Sequence, residues 1–132
     1  MFLGELDFVE KEAFISLALH AAEANGAVAD EEYQIIEDYC KEVGIVFFDA
    51  RNTKTMDEIV KIYSESNDRV KKIVVLETIG LMFADGGYDE KEKFFVENLA
   101  MKLGLSSDAK NCIEEAIAKY LEVTKELLNC IG

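Results

Sequence analysis

The 132-residue sequence has no proline, no tryptophan, one histidine and three cysteines, and its 14 lysines and arginines face 27 aspartates and glutamates. Proline breaks helices and punctuates turns, so its absence favours a helical body over a turn-rich sheet protein. The shortage of positive charge leaves a formal net charge of -13, which repels phosphate backbones and anionic lipid surfaces. Nucleic acid and membrane surfaces are thereby disfavoured, and metal cations or basic protein patches become the expected partners. Solubility alone would also account for many of the carboxylates. Cys40, Cys112 and Cys130 form no CxxC pair, so neither a disulfide framework nor a zinc site is expected. They read as small apolar fillers in a reducing cytoplasm. The longest mostly apolar run, Ala13 to Ala22, is interrupted by Ser16 and His20 and is too short to span a bilayer. The opening stretch MFLGELDFVEKEAF has no basic leader and does not read as a secretory signal. A cytoplasmic protein with no direct membrane insertion is the expectation.

Half of the residues are hydrophobic, enough for one domain that buries roughly two thirds of the surface exposed by its unfolded chain. Periodicity predicts an all-α bundle of about six helices. Leu6, Val9, Ala13, Leu17, Ala21 and Ala24 form the stripe of a first helix that stops at Asn25-Gly26. A second helix carries Ile35, Ile36, Tyr39, Cys40 and Val43 and ends at Gly44. Residues 45–54 read as a connector whose Phe47 and Phe48 plug the core. Thr55 with Glu58 forms a capping box for a short third helix. Ser66 to Asp68 caps a fourth, with Val70, Ile73, Val74, Leu81 and Ala84 on one face. Asp89 with Glu92 forms another capping box, opening a fifth helix that ends before Gly104. A last helix begins at Ser106 or Ser107, and its wide stripe suits either the centre of the bundle or a dimer seam.

Laying residues 14–45 on residues 74–105 reveals an internal repeat at an offset of sixty. Ala24, Gly26, Glu32, Glu37 and Gly44 recur as Ala84, Gly86, Glu92, Glu97 and Gly104. Each copy is a helix, a turn of the form A-[ND]-G-x-x-x-x-x-E, and a second helix ending in glycine. The organisation read from this is repeat one over about 9–45, a connector and short helix over 46–65, repeat two over about 68–105 and a C-terminal helix over 106–131. Two facing hairpins would bury both apolar faces and give an approximate twofold relation.

This pair of hairpins, each with an acid six residues after its glycine, resembles the tellurite-resistance TerB-like family over about residues 9–105. The resemblance implies a small acidic helical module that binds metal or takes part in stress-associated interactions, without established catalysis.

The turns set two readings against each other. Hard cations such as calcium, magnesium or manganese need several converging oxygens, which Asp85, Asp89 and Glu92 could supply, with Asn25, Asp30 and Glu32 in the corresponding places of the first copy. Against this, a helix N-terminus attracts carboxylates without any metal, and Asp89 and Glu92 already have a complete structural role as a cap. The segment is not an EF-hand, because the twelfth residue counted from Asp85 is Val96 where a bidentate Glu is required. Glu77 falls on the apolar stripe of the fourth helix, either half-buried or reaching solvent from its edge. His20 could bind metal or pair with an acid, or serve as a satisfied packing residue. Phe94 and Phe95 are adjacent and cannot both point straight into one core, so either one marks a partner surface or both line a wide buried stripe. No nucleophile elbow, phosphate-binding glycine loop or His/carboxylate pair is recognisable, so no enzyme is expected. The leading expectation is a non-enzymatic module binding a divalent cation or a basic protein; the alternative is an interaction or homodimerisation scaffold with no metal site.

Overall fold

One helix that is apolar around its whole circumference decides the architecture. In the computed structural model, which describes residues 2–24, 26, 29–45, 53–84 and 88–132 and omits the side chains of residues 29, 31–33, 35, 36 and 84, α1 spans Phe8–Ala24. Every residue from Ala13 to Leu19 is buried, as are Ala21 and Ala22. A helix with no polar face has no side to turn to water, so it becomes the core. Around it pack α2 (Ala29–Val43), α3 (Met56–Ser64), α4 (Asp68–Ala84) and α5 (Glu90–Lys102), while α6 (Ser107–Ile131) lies against α4 and α5. A short 3-10 turn, Leu3–Glu5, precedes α1 and closes over α2 and α4. The described residues contain no strand, and the all-α expectation stands.

The caps explain the boundaries. The Thr55 side chain accepts from the Glu58 amide and Glu58 returns a bond to the Thr55 amide, opening α3; Asp89 and Glu92 do the same for α5. Asn67 accepts from the Val70 amide at 2.8 Å and Ser106 from the Ala109 amide at 3.1 Å. At the C-termini, Gly44 and Gly104 take φ of +76° and +77°, which lets Ile45 reach the Cys40 carbonyl and Leu105 the Ala100 carbonyl, each at 2.9 Å. α1 and α4 both hold 17 residues, with start and end sixty apart, whereas α2 holds 15 residues and α5 13.

Several expectations need correction. α6 is not the centre of the bundle: only Lys110 and Ile117 of its residues are buried. The filler reading of the cysteines holds for Cys40, whose thiol is pushed up by burial, while Cys112 and Cys130 are exposed. Leu6 precedes α1 and Val9 is 51 % exposed, so α1 buries a later stretch than its first stripe suggested. Asp7 and Glu10 exchange bonds across the start of α1, 2.8 and 2.9 Å, a reciprocal cap that the apolar pattern did not reveal. The expected plugs Phe47 and Phe48 lie outside the described residues.

Candidate functional site

α1 ends where α5 begins. Gly26 turns the chain at φ +80°, and its amide bonds the Glu23 carbonyl at 3.0 Å. Beside this end stands the first turn of α5, and Glu23, Ala24, Gly26, Asp89, Glu90 and Lys91 together line a concavity of about 450 Å³. The negative end of one helix dipole thus adjoins the positive end of another. Three carboxylates and one ammonium surround the space, so the end of α1 and the start of α5 share an acidic recess.

Two of the expected ligands are engaged there as caps. Asp89 Oδ1 accepts from the Glu92 amide at 2.9 Å, and Glu92 Oε1 accepts from the Asp89 amide at 3.1 Å. Glu92 is only 1 % exposed, so turning it toward the recess would undo the first turn of α5. Asp30 is exposed near the start of α2. Asn25, Asp85 and the Glu32 side chain lie outside the described residues. Among the described residues, no group of three His, Cys, Asp or Glu side chains is arranged to hold a metal ion.

His20 and Glu77 tie the fold together. His20 Nε2 donates to the Lys54 carbonyl at 2.7 Å, which fixes the proton on that nitrogen, and Ser16 Oγ accepts from the Lys54 amide at 3.0 Å. These two side chains, one turn apart on α1, clamp the strand of chain that leads into α3. Ser16 appeared in the sequence only as an interruption of an apolar run. Glu77 is half-buried and Oε1 accepts from the Phe2 amide at 2.7 Å, so it fastens the N-terminal turn to α4.

A second polar group joins α5 to α6. Lys110 Nζ lies 2.6 Å from Glu114 and 3.5 Å from Glu97. Burial pulls the ammonium down, but the Glu114 and Glu97 carboxylates outweigh it and hold its pKa above the usual lysine value. The Tyr88 hydroxyl faces the same group; burial and the Glu114, Glu97 and Glu92 charges push its pKa up. Sequence spacing could signal only the Lys110–Glu114 pair, four residues apart on α6; Glu97 and Tyr88 join it from another helix and a loop.

The exposed end of α6 carries an apolar face. Tyr120, Val123, Leu127, Leu128 and Ile131 are 53, 51, 61, 59 and 80 % exposed, and every residue from Lys125 onward is exposed. Phe94 is 69 % exposed while Phe95 packs partly against the core, which resolves that adjacent pair. No described helix is long and apolar enough to cross a membrane, so the exposed face of α6 is not a spanning segment. Comparison of the chain with protein-family models, curated proteins and solved structures returns no match.

Proposed function

We propose that the chain is a non-enzymatic interaction module that docks a protein on the apolar face of α6. The observation that carries this reading is the run of five large apolar side chains, each more than half exposed, along one helix. A cluster of this kind is costly to leave in water, at about 25 cal/mol per Å² of apolar surface, and contiguous exposed patches mark interaction sites. A photoreactive residue installed at position 128 tests it in cells. Cross-links into protein at that position are expected; their absence, with efficient cross-linking at a control position of a known interface, removes the docking reading.

A cation-binding module of the TerB-like type is a second reading, favoured by the gathering of Glu23, Asp89 and Glu90 around one recess. It draws on the two A-[ND]-G hairpins, and it extends to a stress-associated or tellurite-resistance role. Calorimetric titration with calcium, magnesium and manganese is its test, with Asp85→Asn plus Glu23→Gln as the control. A site filled to a hundred times its dissociation constant stabilises by about 2.7 kcal/mol. No heat and no melting shift at millimolar metal would remove this reading and leave the α6 surface untouched.

A further inference from the structure

α4 and the start of α6 border a cleft of about 440 Å³, within the size range of small-ligand sites. One wall is a single face of α4, where Arg69, Lys72, Ile73 and Leu76 follow helical spacing. The facing wall is Ala109, Cys112 and Ile113 of α6, and the short side chains of Ala109 and Cys112 leave the space in front of α4 open. Phe2 closes a third side, and it is held there, because its amide donates to Glu77 Oε1 at 2.7 Å. The lining is thus mostly apolar, and its two charged members are both cations in a chain of net charge -13. Arg69 is already neutralised, since its guanidinium donates to both oxygens of Glu5 at 2.6 and 2.9 Å. Lys72 is exposed and forms no ion pair among the described residues. Its stem can lie along the wall while its ammonium stands in water at the mouth.

We infer that this cleft binds a free aliphatic carboxylate, with its chain laid between α4 and α6 and its head group on the Lys72 ammonium. The walls decide the body of the ligand. A sugar or a nucleotide would lose the hydrogen bonds of its polar groups against Ile73, Leu76 and Ile113, whereas an alkyl chain has none to lose. The one open cation decides the head: it matches a single negative charge, while a polyphosphate needs several converging donors. The α4 wall from Arg69 to Leu76 runs about 10 Å, the span of a chain of about eight to ten carbons. Burial of that chain supplies the affinity, and Lys72, exposed and screened by water, selects the sign of the head. A head group presented by an anionic bilayer is disfavoured, because the rest of the chain repels such a surface. The cleft lies at the start of α6, away from its exposed end, so this site goes beyond the docking reading and stands or falls separately from it.

The native cysteines provide the test. Cys112 lines the cleft, Cys130 lies about 27 Å further along the same helix, and both are exposed while Cys40 is buried. The full chain is labelled with a maleimide in decanoate below its micelle concentration, and the rate at each cysteine is read by mass spectrometry. Labelling should slow at Cys112 and stay unchanged at Cys130. Shortening the ligand from decanoate to octanoate should raise the half-protecting concentration about tenfold. Decyltrimethylammonium, with the same chain and the opposite charge, should need about tenfold more than decanoate, and Lys72→Glu should reverse that order. Ala109→Trp, which fills the cleft, should abolish the effect of decanoate while leaving the helical circular dichroism unchanged. Equal slowing at both cysteines would mean detergent-like adsorption and overturn the inference. So would no slowing at Cys112, an unaltered decanoate response in Lys72→Glu, or protection by phosphatidylglycerol vesicles without protection by free decanoate.

Discussion

α1 and α6 are both long, both rich in apolar residues and both capped by a side chain at their first turn, yet nine residues of α1 are buried and two of α6 are. The difference lies in where the charges stand. From Ala13 to Leu19 α1 has none, so it can be enclosed on all sides without stranding a charge. In α6, Glu115, Lys119, Glu122, Lys125 and Glu126 keep one side in water, so only its other side can be covered. The bundle covers the first half of that side with α4 and α5 and leaves the second half open. Apolar content alone does not assign a helix to the core; an uninterrupted circumference does.

Substitution on the two helices should break this comparison open most widely. Phe14 is fully buried and meets the Tyr39 ring edge-on at 5.0 Å. Phe14→Ala should cost about 3–5 kcal/mol, read as a lower urea midpoint with the slope unchanged. Leu128→Glu, at a side chain 59 % exposed, should stay within about 0.5 kcal/mol. A loss for Leu128→Glu comparable with that of Phe14→Ala would mean that the end of α6 belongs to the core in solution.

Much of this contrast was legible in the sequence. The capping boxes at Thr55/Glu58 and Asp89/Glu92 and the stops at Gly26, Gly44 and Gly104 are local signals, and local chemistry fixes helix ends. The roles that escaped depend on contacts across the fold. Ser16 and His20 became a clamp on Lys54 only because Lys54 comes to lie against α1, and Lys110 found Glu97 only because α5 and α6 fold back on each other. The wide stripe of α6 fitted a central helix and a dimer seam equally well in one dimension. Ligation by the turns was ambiguous for a related reason: a carboxylate at the start of a helix looks the same in sequence whether it binds amides or a cation.

Alkaline titration sharpens the comparison at the one charged side chain that α6 buries, Lys110. Its folded pKa lies above the ordinary lysine value, so the protonated form favours the folded state. That contribution is whole below about pH 10.4 and disappears as the pH rises through the folded value. The Tyr63 and Tyr88 hydroxyls, both pushed up chiefly by burial, act with the same sign above about pH 10. Stability should therefore hold across neutral pH and fall in alkali. Lys110→Met should cost about 1–3 kcal/mol at neutral pH by orphaning its carboxylates, and should make the alkaline decline shallower. An unchanged decline would assign the alkaline sensitivity to the tyrosines.

The caps give the smallest effect and the finest separation of the two helices. Asp7 accepts from the Glu10 amide at 2.8 Å at the start of α1, and Ser106 accepts from the Ala109 amide at 3.1 Å at the start of α6. Replacing either by alanine should cost about 1 kcal/mol, but the losses should be distributed differently. α1 touches four other helices, so its amides open only with the whole domain, and Asp7→Ala should speed hydrogen exchange at protected sites throughout the core. α6 contacts α4 and α5 from outside, so its first turns can open while α1 stays shut. Ser106→Ala should then accelerate exchange over residues 107–113 and leave the amides of α1 at their original rates. Equal acceleration of α1 by both variants would show that α6, despite its exposure, unfolds as one unit with the core.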